Sequence, residues 1–514
     1  MLSFLQNLDR KSLAKIVAWS LAIVALFAIY TIGISQNPPG FYVDESALSY
    51  NAFLVSKTGA GEFGRAFPLY FQIYTGGFTQ WSNPTQIYLL AALFKVFGPG
   101  ILIARLFAAA CVFAACLLLG RLAARVSENT TIGYIVGGMA LITPWLFEVG
   151  RLVLETFFYP LAVVLFLWAL WCAQKKEKWG RQDIVALVST LTLLTYSYTI
   201  GRLFGGLMAM GLVIFIKNRK QIVAVLITWA AYGMTLIPLI QFGRSNPDLT
   251  TRFYLISYIK PTSTLSDIIP QFLARFFNDL NPWTLLWSGD SNPRHHLPDS
   301  FGSILLGTFI LAVIGVVIIA IKRRTDRWWL FVVFGFLASI VPGSLTNDHA
   351  HTLRMIAYPI FLLLLTVPVL QWMFERRTED VEKRSLVQTA SEPRMAVAAV
   401  LFALIIAQGA YFHYKNYVEG PNRGYAFDAA YKTVYDIAVQ QPDRPIYLID
   451  NYWGPGYIHA FWYATLEGRD TSEFNHLRYG AKAPPHSLVI STEKDCTNCD
   501  LLRKEEIYLL YRTH

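Results

Sequence analysis

Charged side chains are scarce in this sequence: Asp, Glu, Lys and Arg make up 15% of its 514 residues, against about a quarter in soluble domains. With 54% hydrophobic and 15% aromatic residues and a mean hydropathy of +0.40, that scarcity excludes an ordinary soluble fold. Apolar stretches suited to a hydrocarbon core, about 20 residues for roughly 30 Å, recur from Lys15 to Tyr411. Cysteine is also sparse. Of the five, Cys111, Cys116 and Cys172 lie in apolar runs, where a thiol is a small hydrophobe. Cys496 and Cys499 form one C-x-x-C without the second ligand pair of a zinc site, which leaves a local disulfide or free thiols. No internal repeat suggests the inverted halves of a secondary transporter.

Acids are outnumbered, 34 against 44 bases, for a net charge of +10. The bases fall in short clusters between apolar runs, which is how positive charge orients helices in a membrane and not how a nucleic-acid-binding surface is built; no nucleic-acid partner is expected. The first apolar run, Ile16 to Ile34, follows Arg10, Lys11 and Lys15. It is too long for a usual signal-peptide core and lacks a clear cleavage site, so it reads as the first helix.

With the amino terminus inside, residues 35–100 form a first outer loop carrying two short helices, Glu45 to Ser56 and Pro84 to Phe97, placed in the membrane interface. Counting Pro84 to Phe97 as a span would invert every later loop. Counted as interfacial, it puts Arg121 and Arg125, Lys175 to Arg181, Lys217 to Lys220, Lys322 to Arg327, and Arg376 to Arg384 all on the inner side. The expected spans are 15–34, 101–124, 131–148, 152–173, 182–199, 203–216, 221–241, 301–321, 328–345, 353–374 and 395–412. The expected fold class is an all-α polytopic membrane protein of about eleven transmembrane helices with a small α/β extracytoplasmic domain. Residues 1–412 are assigned to the membrane and 413–514 to the outer domain, where a helical pattern covers Tyr425 to Val439 and strand-like runs cover Pro445 to Ile449, Ser487 to Ile490 and Ile507 to Tyr511.

In this topology the polar residues at helix ends gather outside: Asp44 and Glu45, Arg151 and Glu155, Arg202, and the run from Thr346 to Arg354. A charge at the bilayer centre costs roughly 2.5–3.5 kcal/mol, so such a gathering suits a wet cavity. Asp44 has a bland reading as the N-cap of a helix with Glu45 in its first turn. In the catalytic reading, one carboxylate takes a proton from an acceptor hydroxyl as a sugar C1 leaves its phosphate, and its neighbour raises its pKa. A phosphate leaving group needs guanidiniums, for which Arg151, Arg202 and Arg354 are candidates beside the alternative of interfacial snorkelling. Tyr42, Asn83, Tyr198 and His351 are candidate substrate contacts. Tyr42, Trp81, Trp145, Tyr196, Tyr198 and Trp283 also read as an interfacial aromatic belt. Asp348, His349 and His351 keep a divalent metal open, although H-x-H spacing is not diagnostic and polar lining is the simpler reading; no cofactor is required for a single displacement.

Several stretches resemble one family: the acidic pair in Phe41 to Ala47; Asn83-Pro-Thr-Gln-Ile-Tyr88 followed by Leu93-Phe-Lys-Val-Phe-Gly98; Arg105 opening the next helix; Thr143-Pro-Trp145 with Arg151 beyond; and Thr195-Tyr-Ser-Tyr198 with Arg202. Over residues 15–412 the chain resembles the GT-C superfamily of polyprenol-dependent glycosyltransferases, in particular bacterial relatives of protein O-mannosyltransferases and aminoarabinose lipid A transferases. The second stretch departs from the family pattern by beginning Asn-Pro where His-Pro-Pro is usual. The resemblance implies Asp44 as base, Glu45 as a supporting acid and arginines on the carrier phosphate. It implies transfer of a sugar from a polyprenyl-phosphate donor to a hydroxyl acceptor at the outer face of the plasma membrane. The alternative is a transporter or flippase of lipid-linked glycans, for which ionisable groups are expected along a path through the membrane.

Overall fold

The computed structural model describes residues 10–75, 79–374, 384–450, 456–478, 480–492 and 498–514. Among them five helices are long and apolar enough to cross a membrane: Leu13–Tyr30, Ile101–Ser127, Arg219–Ser245, Arg327–Ser344 and Arg394–Asn422. Shorter apolar helices run over Pro84–Phe97, Thr130–Ile142, Tyr159–Gln174, Gly201–Phe215, Leu306–Lys322 and Tyr358–Phe374. Leu21, Val24 and Ile29 on the first helix and Val223, Leu226 and Met234 on Arg219–Ser245 are exposed. Water disfavours such dense apolar faces and lipid does not, so the chain is a multi-pass membrane protein. Inside the bundle, Ile101–Ser127 packs on Thr130–Ile142 through glycine: a Cβ at Gly120 would lie 2.6 Å from the Gly133 carbonyl. Small residues allow this backbone approach where lipid removes the usual hydrophobic drive between helices.

The expected spans are not all continuous. Pro144 has no N–H to extend Thr130–Ile142, so Thr143 turns extended and a short helix, Pro144–Val149, starts afresh. Turns then occupy residues 150–158 before Tyr159–Gln174 begins. The expected spans 131–148 and 152–173 thus share a non-helical seam that carries Arg151 and Glu155. The boundary expected at 412/413 falls within the helix Arg384–Glu419, which carries the chain past the membrane domain without a break.

The first loop holds helix Val43–Thr58, a hairpin of β1 (Phe71–Thr75) and β2 (Thr79–Ser82), and helix Pro84–Phe97. The hairpin escaped the sequence reading. Val43–Thr58 does not lie open in an interface either: Ser46, Ala47, Ser49, Asn51 and Ala52 are all buried, because the helix is packed between Pro84–Phe97 and the C-terminal helix Tyr457–Glu467. Small side chains on several faces give no apolar stripe, and covering from several sides explains them.

After Glu419, helices Ala429–Gln440 and Tyr457–Glu467 pack on one mixed sheet. Its strands are β3 (Ile446–Ile449), β4 (Phe474–His476), β5 (Leu488–Ser491), β6 (Cys499–Glu505) and β7 (Tyr508–Thr513), in the order β4-β3-β5-β7-β6. β3 is parallel to both β4 and β5, whereas β7 is antiparallel to β5 and β6. Three of these strands and the first helix lie where strand-like and helical patterns are expected; β4, β6 and Tyr457–Glu467 were not anticipated. Cys499 is disulfide-bonded, and Cys496 lies outside the described residues.

Candidate active site

A cavity of about 580 Å³ opens where the helices of the bundle meet the first loop. Tyr42, Asp44 and Leu48 enter it from the start of Val43–Thr58, Trp81 and Ser82 from β2, and Glu155 from the turn after Pro144–Val149. Tyr198 and Arg202 enter from the junction of Arg181–Ser197 and Gly201–Gly211, Arg252 from the short helix Thr251–Ile256, and Arg294, His295, His351 and Arg354 from two later loops. The helices that deliver these residues carry their basic clusters at the other end. Tyr159–Gln174 begins beside Glu155 and ends at Lys175; Arg181–Ser197 ends at Tyr198; Arg219–Ser245 leads to Asp248; Leu306–Lys322 and Arg327–Ala338 meet at Arg323 and Arg324.

Asp44 lines this cavity, half-buried. It is not the helix cap. Tyr42 holds that position, and the Tyr42 N–H donates to Glu45 Oε2 at 3.0 Å. Glu45 is fully buried: its Oε1 accepts the Val153 N–H at 3.0 Å, and its Oε2 faces the Arg105 guanidinium at 3.4 Å. Arg105 also donates to the carbonyls of Pro38 and Gly40 at 2.7 and 2.6 Å. The expectation of two carboxylates sharing a catalytic site is therefore corrected for Glu45, which locks the loop to the bundle and is turned away from the cavity.

Arg151 needs the same correction. Its guanidinium is buried and donates to the carbonyls of Asn37, Tyr30 and Ile32 at 3.0, 3.1 and 2.8 Å. It closes the carboxyl end of the first helix, where carbonyls lack intrahelical partners, and does not line the cavity. Asn83 also stands behind the wall: its Nδ2 donates to Glu155 Oε2 at 2.9 Å and to Thr199 Oγ1 at 3.1 Å. Glu155 Oε1 accepts from Ser82 Oγ at 2.5 Å and the Asn83 N–H at 2.7 Å. This carboxylate orders the wall.

The other expected residues do converge. Arg202 stands over the Tyr70 ring at 5.0 Å. Arg354 donates to Thr346 Oγ1 and Asp348 Oδ2, both at 2.7 Å. Tyr42, Tyr198 and His351 line the same space. Burial, then the neighbouring Arg354 charge, push His351 below the usual imidazole range. His349 points elsewhere, its Nδ1 2.9 Å from Asn278 Nδ2. Of the aromatic set, Trp81 reaches the cavity, whereas Trp145 is buried against Tyr358 and Trp283 is exposed and stacks on Trp287.

Arg252, Arg294 and His295 were missed. Arg294 stacks 3.3 Å above the Tyr42 ring centroid and donates from Nε to the Ala426 carbonyl at 3.0 Å. The connection between Ser245 and Leu306 carries helices Thr251–Ile256 and Leu265–Asp279, with Arg252 on the first and Arg294 and His295 in the turns after the second. Its partners come from elements remote in sequence, which no local pattern reveals.

No family profile and no curated protein sequence matches the chain. Solved structures do resemble it. ArnT from Cupriavidus metallidurans in the apo state superposes with a TM-score of 0.57 at 13% identity, covering 97% of this chain and 98% of ArnT. The same protein bound to undecaprenyl phosphate gives 0.54 at 11% identity, covering 96% and 98%. The fold is that of ArnT. The oligosaccharyltransferase AglB from Archaeoglobus fulgidus, in complex with an inhibitory peptide and a dolichol-phosphate, aligns at a TM-score of 0.50 and 11% identity, over 90% of this chain and 64% of AglB. The cavity joins the carboxylates of Asp44, Glu155, Asp248 and Asp348, several guanidiniums and an apolar wall that includes Leu203, Phe253 and Ile256.

Proposed function

We propose that this chain is a membrane glycosyltransferase that moves a sugar from a polyprenyl-phosphate donor to an acceptor hydroxyl at the outer face of the plasma membrane, with inversion at the sugar carbon. The observation that carries the reading is the convergence of Asp44 with Arg202, Arg252, Arg294 and Arg354 on one cavity that also has an apolar wall. Asp44 takes the acceptor proton as the hydroxyl oxygen attacks the sugar C1. The bond from C1 to the phosphate oxygen breaks with its electron pair, and polyprenyl phosphate departs. Guanidiniums fixed around that phosphate offset its growing charge, and the apolar side accommodates the first prenyl units. The outer location rests on charge: the basic clusters stand at the helix ends remote from the cavity, and such clusters stay inside.

The occupants of two structures of this fold, undecaprenyl phosphate in ArnT and a dolichol-phosphate in AglB, support the donor class. Ionisable groups gathered at one end of the helices support transfer over transport, because a transporter needs such groups along its path. The test is a screen of polyprenyl-phosphate sugars with purified protein, read by mass spectrometry for released polyprenyl phosphate. Asp44→Asn is expected to lower turnover at least about a hundredfold, the usual scale for a general base, with expression and thermal midpoint unchanged. Equal activity in the variant removes Asp44 as base.

A further inference from the structure

Beside the main cavity lies a smaller chamber of about 460 Å³, lined by Asp290, Asn292, Arg294, His351 and Tyr425 among others. His351 belongs to the walls of both. Behind it sits a compact group of donor atoms. Asp290, His295 and His351 each offer one ligand atom, all within 4.8 Å of one another. Asp290 and His295 are buried, and the His295 and His351 rings are 4.7 Å apart.

The carboxylate is held as a metal ligand is usually held. Asp290 Oδ1 accepts the Asn292 N–H at 2.9 Å, and its Oδ2 accepts the Thr352 N–H and Oγ1 at 2.9 and 2.8 Å, with His295 Nδ1 at 3.1 Å. Such outer hydrogen bonds orient a ligand and tune its basicity. The independent sign is His351 Nδ1, a buried nitrogen without a hydrogen-bond partner among the described residues. Buried polar atoms are nearly always satisfied, and exceptions call for a missing water, ion or function.

We propose that Asp290, His295 and His351 together hold one divalent transition-metal ion, with zinc the best match to the donor set. Two imidazoles, which are borderline donors, with one hard carboxylate form a set that suits zinc better than magnesium or calcium, which take oxygen alone. Modest ring rotations bring three atoms this close onto an ion at about 2.0–2.2 Å. Three protein ligands leave a fourth position for water or substrate, and His351 sets the ion at the seam of the two chambers. The site replaces the sequence-based grouping of Asp348, His349 and His351, because Asp348 pairs with Arg354 and His349 with Asn278. It does not depend on the transferase reading.

The experiment uses the full-length, tag-free protein in detergent, stripped with a chelator and titrated with zinc, with bound metal counted by mass spectrometry. Wild type is expected to bind one equivalent and to gain thermal midpoint on zinc addition. His351→Gln and His295→Gln are expected to bind at least tenfold more weakly and to lose that gain, whereas His349→Ala keeps both. Absence of stoichiometric zinc in wild type, or full affinity in folded His351→Gln, overturns the site. Should His295→Gln fail to fold, His351→Gln alone decides. Activity is not read, so a failure here is distinct from a failure of the donor screen.

Discussion

Neighbouring residues on a helix point about 100° apart, and that angle separates the fates of Asp44 and Glu45. One carboxylate lines the cavity and the next is spent on Val153, Tyr42 and Arg105. The arginines divide in the same way, and the division is measurable. Arg151→Ala strands the carbonyls of Tyr30 and Ile32 at the end of the first helix and that of Asn37 beyond it, and is expected to cost about 3 kcal/mol of stability, read as a lowered thermal midpoint. Arg202→Ala is expected to leave that midpoint nearly in place and to lower kcat/KM for the donor roughly 10- to 100-fold, the worth of one charged hydrogen bond to phosphate. Glu62 supplies a pH signature. Burial pushes its carboxyl up to about 8, against the pull of its hydrogen bond from the Tyr457 hydroxyl at 2.5 Å. The folded protein therefore keeps a proton that the unfolded chain has already lost. The resulting stabilisation is complete below the unfolded value and disappears as pH rises through 8. Thermal midpoints are expected to fall between pH 5.5 and 8.5 in wild type and to fall less in Glu62→Gln.

At the scale of elements, the C-terminal sheet supports the start of the Asp44 helix. Asp428, at φ +53°, accepts the Val43 N–H on Oδ2 at 3.0 Å and the Tyr508 hydroxyl on Oδ1 at 3.0 Å. His459 joins the same group, with Nε2 3.3 Å from Asp428 and Nδ1 2.9 Å from Ser46 Oγ. Gly40 makes the approach possible, since a Cβ there would sit 2.4 Å from the Phe427 carbonyl. Asp428→Ala is expected to lower kcat roughly tenfold while donor KM shifts less than about threefold, because it loosens the base and leaves the guanidiniums in place. Equal effects on both parameters would mean general unfolding instead.

At the scale of the whole molecule, among the described residues, alternate helices bring the cavity residues to one end and the basic clusters of Lys175 to Arg181, Lys217 to Lys220 and Lys322 to Arg327 to the other, while Arg376 to Lys383 lie outside the described residues. The proposed topology puts a cysteine at exposed Ser472, in the turn before β4, and another at exposed Lys178 on opposite sides of the membrane. In intact cells an impermeant maleimide is expected to label Ser472→Cys, and to label Lys178→Cys only after permeabilisation. The reverse pattern would invert the topology and with it the proposed outer reaction.

Much of this was legible along the chain because a bilayer imposes a one-dimensional code. Apolar length marked the helices, and the Pro/Gly turn before Asp44 marked the start of Val43–Thr58. The hairpin β1–β2 was not legible, since its strands are short and one belongs to a cavity wall. Nor was the burial of Val43–Thr58, whose cover is a helix some 400 positions later. The sequence by itself determined a polytopic bundle with polar groups collected at one end. Only the tertiary structure decided which of them face the cavity: Asp44, Arg202 and Arg354 do, Glu45, Arg151 and Asn83 do not, and Arg252, Arg294 and His295 join from the segment between Ser245 and Leu306. The physical reason is that a guanidinium or carboxylate serves either backbone groups or a ligand according to what folding places beside it, and those partners are set by contacts distant in sequence.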